Sequence, residues 1–246
     1  MHSTSVAMIF DWQNNNDGCY VLQNGTSLRI TTRTRGRVVL NDTSNRLFID
    51  DVWPGSKVLA DVLDQNPTFC KDKIVLEIGA GAALPSLVAS ALGARSIVIT
   101  DYPEISVLEN ISELITRNKL VNCQVLGYKW GEDVDILQGA CEGRDGYDLI
   151  LLAELLWKDT YSEHIRLLQT ISKCLSKSSG IALMAFSHRP SSTHTEANDM
   201  EFFEKAHRLF QLNCTFICTS DKYRDVDSDE NALVKVYCLH YSDFHI

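Results

Sequence analysis

Val75-Leu76-Glu77-Ile78-Gly79-Ala80-Gly81-Ala82-Ala83 decides how this chain is read. A hydrophobic strand, Ile74 to Ile78, runs into two closely spaced glycines and small residues, and a helix follows from Pro85 to Leu92. Such a loop lets backbone amides approach a ligand closely, backed by the N-terminus of the helix. Taken alone, Gly-x-Gly reads equally as a tight strand-to-helix turn.

The next acid shifts that balance. Asp101 directly follows the apolar strand Ser96 to Thr100, twenty positions beyond Gly81. An acid at the tip of the second strand accepts both hydroxyls of a ribose, so loop and acid together point to adenosine. The third glycine of a dinucleotide fingerprint would fall at residue 84, which is Leu84, with Pro85 after it. Glu77 also stands two residues before Gly79. A carboxylate there suits a cationic ligand better than a pyrophosphate, although a strand-end acid capping local amides has the same sequence.

Outward from this loop the pattern is regular. The spacing of Val58, Leu59, Val62 and Leu63 predicts a helix from Trp53 to Leu63, stopped near Pro67. After the loop come helix Ile105 to Asn118, strand Gln124 to Tyr128, strand Tyr147 to Ala153, helix Tyr161 to Leu175 and strand Gly180 to Ser187. Helix Asp199 to Phe210, strand Cys214 to Thr219 and strand Ala232 to Tyr241 complete the order. Strands alternating with helices predict an α/β fold: a Rossmann-like, seven-stranded, mostly parallel sheet with helices on both faces. The two closely spaced final strands predict an antiparallel edge strand.

Ahead of this unit, Asn24-Gly25 between Tyr20-Val21-Leu22 and Ser27 to Thr32 signals a β-hairpin. Val38-Val39-Leu40 reads as a further short strand before the turn Asn41 to Ser44, while Arg33 to Arg37 is either a solvated tip or a substrate contact. We therefore expect residues 1–45 to form an N-terminal hairpin extension and residues 46–246 the main domain.

Composition narrows the classes. With 45% hydrophobic and 22% charged residues the chain is a globular domain, and no apolar run approaches the ~20 residues that cross a bilayer. Val6 to Phe10 lacks a basic lead-in and is shorter than a signal core, so a cytoplasmic or nuclear location is expected, the cytoplasm first. Eight cysteines without a Cys-x-x-Cys pair argue for free thiols and no metal. The acidic run Asp221, Asp225, Asp227, Asp229, Glu230 lacks calcium-loop spacing and reads as a solvated connection. A net charge of -9 disfavours direct nucleic-acid binding and suits a basic protein partner.

The sequence resembles the seven-β-strand (class I) methyltransferases, specifically the nicotinamide N-methyltransferase-like group. The likeness extends from about Leu47 to the C-terminus. It rests on Val52-Trp53-Pro54-Gly55, Leu76 to Ser86, Thr100-Asp101-Tyr102-Pro103, Tyr128-Lys129-Trp130-Gly131, Asp148 to Leu151, Phe186 to Pro190 and Glu201-Phe202-Phe203. The resemblance implies S-adenosyl-L-methionine as cofactor, contacted by Trp53, Glu77, Gly79, Ala80, Gly81, Asp101, Tyr102, Trp130 and Ala153. Where related lysine methyltransferases carry Asp-x-x-Tyr or Asp-x-x-Phe after the fourth strand, this chain reads Glu154-Leu155-Leu156-Trp157. Glu154 and Trp157 are thus expected on the acceptor side of the reaction. His188 and Arg189, at the end of a sheet strand, are expected to position substrate or to fasten their own loop.

The resemblance implies a monomeric enzyme that methylates the N-terminal amine or a lysine of a protein, translation elongation factor 1-alpha. Two alternatives stay open: a nicotinamide-type small-molecule N-methyltransferase, and a cofactor-binding interaction module without activity.

Overall fold

The structure, a computed structural model, describes residues 11–12, 17–31, 38–39, 46–47, 52–141, 143–189, 194–223 and 233–241. The readings at Val6 to Phe10, Arg33 to Arg37, Asn41 to Ser44, Pro190 and Asp225 to Glu230 lie outside the described residues.

In chain order the strands and helices are β1 (Asp11–Trp12), β2 (Asp17–Val21), β3 (Ser27–Thr31), β4 (Val38–Val39), β5 (Arg46–Leu47), α1 (Pro54–Gln65), β6 (Ile74–Ile78), α2 (Leu84–Ala91) and β7 (Ser96–Asp101). Then follow α3 (Ile105–Arg117), β8 (Cys123–Gly127), α4 (Asp135–Gln138), β9 (Leu149–Ala153), α5 (His164–Cys174), β10 (Ile181–Ser187), α6 (Glu196–Phe210), β11 (Asn213–Ser220) and β12 (Val234–His240). The main sheet has seven strands in the order β11-β12-β10-β9-β6-β7-β8. From β10 to β8 every pairing is parallel. The antiparallel strand is β12, one place in from the margin, paired with β10 on one side and β11 on the other.

Period-two alternation decides what each strand gives to each face. Val75 of β6 and Leu149, Leu151 and Ala153 of β9 join a core with Leu59, Leu87 and Ile111. Leu76, Ile78, Ile150 and Leu152 join the opposite core with Leu167, Ile171 and Phe202. Both faces are thus apolar, which is why these strands read as continuous hydrophobic runs. Connections run from β6 to β7 and β8 on one side, then from β9 to β10 on the other. The direction reverses between β6 and β9, and ligands in such sheets sit outside the strand ends at that switch.

The hairpin forms as β2 and β3, with Tyr20 opposite Leu28, and β1 adds a third antiparallel strand. Tyr20, Leu22, Leu28 and Ile30 are buried in the α1–α2–α3 core. The Tyr20 hydroxyl donates to Asp61 of α1 at 2.8 Å, and Lys222 and Tyr223 reach the same carboxylate at 2.6 and 3.0 Å.

Several boundaries differ from the predicted ones for local reasons. The helix expected from Tyr161 starts at His164, because residues 158–163 form a 3-10 turn. There the Thr160 hydroxyl donates to Leu155 O at 2.7 Å, drawing the chain away from α geometry. The helix expected from Asp199 begins at Glu196, since Thr195 and Asn198 form a capping box ahead of it. Tyr147 lies before β9 and spends its hydroxyl on Leu137 O at 2.5 Å. Among the described residues no helix is long and apolar enough to cross a membrane.

Candidate active site

The switch point is built first by the turn after β6. Gly79 has φ +66° and Gly81 φ +53°, a left-handed backbone that glycine adopts without steric penalty. A Cβ on Gly79 would come within 2.7 Å of the Leu155 side chain, whereas one on Gly81 would meet nothing within 4 Å. Both glycines thus answer to the left-handed backbone; at Gly79 a Cβ would also displace the tip of Leu155, while Gly81 fronts open space. Leu84, which stands where a third glycine would, is fully buried, and Pro85 sits in the first turn of α2, where a missing N–H is harmless.

The loop is tied to β7. Asp101 accepts the Gly81 N–H through Oδ2 and the Tyr102 N–H through Oδ1, both at 2.7 Å. Ala80 donates to Thr100 O at 3.0 Å, and the Thr100 hydroxyl donates to Glu77 O at 2.8 Å. Burial pushes the Asp101 carboxyl above the usual carboxylate range, against these two amides.

Glu77 alternates onto the α1–α2 face and is 1% exposed. One carboxylate oxygen, Oε2, accepts the Ser86 N–H at 3.1 Å, and the other, Oε1, has no hydrogen-bond partner of good geometry among the described residues, the nearby Ser86 hydroxyl being likewise unpartnered. Burial pushes this group up to about 8, opposed by hydrogen bonding from Ser86 and helped by the nearby Asp101. An unsatisfied carboxylate oxygen at the root of a ligand loop fits a group that brings its own positive charge.

Across the switch point, Glu154 follows β9 with φ +55°. Its N–H donates to Ala185 O at 2.8 Å, and its Oε1 accepts the Gly55 N–H of α1 at 2.8 Å. Ser187 donates to the same carboxylate through N–H and hydroxyl, each at 3.3 Å, and Arg189 Nη2 lies 3.1 Å from Oε2. The Arg189 guanidinium sits 4.5 Å from the Trp53 ring centroid. Burial raises the Glu154 carboxyl while Arg189 and the donated hydrogen bonds hold it down. Two sequence-identified neighbours, His188 and Arg189, thus part company. Arg189 joins Glu154 and Trp53, while His188 Nδ1 pairs at 2.7 Å with Asp199 of α6, which also holds His194 at 2.6 Å.

The remaining expected residues surround these two clusters. Ala153 ends β9 and is 8% exposed. The Tyr102 ring lies 5.0 Å from Lys129 Nζ. Trp130 follows β8 and packs partly buried against the α5–α6 core. Trp157 caps the 3-10 turn that leads to α5, its N–H donating to Thr160 Oγ1 at 3.2 Å. Gly55 and Ser187 hold Glu154 and Asp199 holds His188, roles that their sequence motifs do not mark. The signal for Gly55 was its place after Pro54, where helix N–H groups lack internal partners.

A sheet of this order, with a glycine loop and two strand-end acids at its switch point, defines an α/β fold of the methyltransferase type. The chain belongs to the lysine methyltransferase family, whose pattern matches residues 38–209. It is 39% identical over 158 residues to the protein N-terminal and lysine N-methyltransferase EFM7 of Candida glabrata, covering 62% of this chain and 59% of that one. It is 37% identical over 190 residues to EFM7 of Eremothecium gossypii, covering 73% of this chain and 68% of that one. The match therefore spans about three fifths of the Candida glabrata relative's length. Among solved structures, P. horikoshii TYW2 in complex with MeSAdo superposes with a TM-score of 0.53 at 13% identity, covering 94% of this chain and 74% of that one.

Proposed function

We propose that this protein is an S-adenosyl-L-methionine-dependent protein N-methyltransferase whose acceptor is a lysine or the N-terminal amine of a protein, translation elongation factor 1-alpha. We further infer a monomer working in the cytoplasm, with residues 46–246 as the transferase unit and residues 1–45 as an extension fastened through Tyr20 and Asp61. The observation that carries the reading is the Glu77 carboxylate, buried beside the Gly79–Gly81 loop with Oε1 unpartnered. Sequence similarity to two EFM7 enzymes supports the choice of a protein amine as acceptor.

In this reading Glu77 receives the cationic methionine portion of the cofactor. Asp101 accepts the ribose hydroxyls, Gly79, Ala80 and Gly81 give backbone close approach, and Tyr102, Trp53, Trp130 and Ala153 wall the adenosine. Bound there, the cofactor would supply an electrophilic methyl group on its sulfonium for an amine nitrogen. The protein's part is alignment and exclusion of water, since charge leaves the donor during the step. Glu154 serves the acceptor side, holding the start of α1 and, before an acceptor docks, Arg189. Trp157 and His188 flank that side from the 3-10 turn and the end of β10. The amine proton leaves to water.

Calorimetric titration with S-adenosylhomocysteine tests the cofactor half, and mass spectrometry of purified elongation factor 1-alpha after incubation with S-adenosylmethionine tests the acceptor half. Absence of binding at millimolar ligand would reject the whole reading. Binding without methylation of the factor would reject the acceptor.

A further inference from the structure

We propose that the Trp53 face and the Glu154 carboxylate form a seat for a cationic side chain of the protein acceptor, a residue flanking the methylated nitrogen, and that Arg189 is the seat's resident occupant. This rests on the transferase reading above for its location beside the acceptor path. The seat itself is a matter of geometry.

An aromatic face opposite a carboxylate is the combination that binds organic cations. Here the guanidinium of Arg189 fills it, 4.5 Å from the Trp53 centroid and 3.1 Å from Glu154 Oε2. The two halves are unequally fixed. The Glu154 side chain is 4% exposed, and Gly55 and Ser187 donate to it independently of Arg189. The Arg189 side chain is 33% exposed, on the solvent side of the pair. A docking cation therefore exchanges with Arg189 from solvent and finds the acid already held in place.

The seat is not for the nitrogen that is methylated. A nitrogen kept against an aromatic face and an anion keeps its proton, and a protonated amine has no lone pair to attack a methyl group. What the seat recognises is a neighbouring lysine or arginine, so it selects acceptors whose methylated position lies in a basic segment. The net charge of -9 favours the approach of such a segment.

The test uses ethylguanidinium as probe, followed by thermal shift and by tryptophan chemical shifts, on the full chain with Arg189→Ala. We expect saturable binding at least about tenfold tighter than to the wild type, and its loss in the Glu154→Gln, Arg189→Ala double variant. Equal binding to wild type and Arg189→Ala, or binding that survives Glu154→Gln, overturns the proposal. If Arg189→Ala does not fold, Arg189→Lys provides a second route. Its resident cation lacks the planar fork, so ethylguanidinium should displace it more readily than it displaces Arg189, and unchanged binding overturns the proposal. S-adenosylhomocysteine titration of the wild type runs beside this, so that failure of the transferase reading is seen separately from failure of the seat.

Discussion

The carboxylate of Asp101 holds the backbone N–H of Gly81 at 2.7 Å, so the acid at the end of β7 shapes the loop at the end of β6. Its other oxygen holds the Tyr102 N–H at the same distance. Removing the carboxylate loses the loop contact and, on the proposed function, the acceptor for ribose hydroxyls. Hydrogen bonds to a charged group contribute about 1.5–3 kcal/mol, so Asp101→Ala should raise the S-adenosylhomocysteine Kd by roughly ten- to a hundred-fold. Calorimetry measures this directly, and a change below about threefold would remove Asp101 from the cofactor site.

Glu77 makes the binding reaction sensitive to pH. Burial holds its folded-state value near 8, so the chain carries this proton at neutral pH. Because the value is raised on folding, this group's contribution to stability is full below the ordinary carboxyl value of about 4.3, falls as pH rises toward 8, and is constant above. A cation placed beside Oε1 reverses the preference and expels the proton. Calorimetry of S-adenosylmethionine, which carries the sulfonium charge, at pH 7 in buffers of different ionisation enthalpy should therefore show release of about one proton, absent in Glu77→Gln. Buffer-independent heats in the wild type would contradict this.

Much of this site was legible in the sequence because it is local. Glu77, Gly79, Gly81 and Asp101 lie at strand ends, and strand ends on one side of a parallel sheet converge whatever else the chain does. The seven strands were legible for the same reason, as hydrophobic runs of strand length. What was not legible depends on side chains crossing between elements. Glu154 is legible as an acceptor-side acid, but its burial and the amide that holds it, 99 positions earlier at Gly55, are not. His188 and Arg189 read as one motif, but past the end of β10 the first pairs with Asp199 of α6 and the second with Glu154. Asp199 read as a helix start, whereas the capping box at Thr195 leaves it inside α6, free to bind two histidines.

The hairpin is fastened at Asn118, which pairs with both backbone groups of Arg29, at Asp64, which accepts the Gln23 N–H, and through its buried tyrosine at Asp61. Three donors converge on this carboxylate: the hydroxyls of Tyr20 and Tyr223 and the ammonium of Lys222. Lys222 is 38% exposed, so its pairing adds little, and the buried tyrosine hydroxyl matters more. Asp61→Ala leaves those donors without the anion and should cost on the order of 3 kcal/mol in urea unfolding. Asp61→Asn, which keeps an oxygen for Tyr20, should lose less. A cost below about 0.5 kcal/mol for Asp61→Ala would show that apolar packing of Tyr20, Leu22, Leu28 and Ile30 suffices without the clasp.

Gly55 is required by space and not by backbone freedom. A Cβ there would meet Ala185 O at 2.7 Å and Glu154 Oε1 at 2.8 Å. The first is backbone and cannot step aside, so the start of α1 must shift, straining the bond from the Gly55 N–H to Glu154. Overpacking of this kind costs about 1–3 kcal/mol, more than the ~1 kcal/mol that alanine gains over glycine inside a helix. Gly55→Ala should therefore lower the melting temperature. Gly139 serves as the control, since it has helical backbone angles and a Cβ there would meet nothing within 4 Å. Gly139→Ala should leave the melting temperature unchanged or raise it. A Gly55→Ala variant as stable as Gly139→Ala would mean that the start of α1 shifts freely, and that Glu154 is not held by it.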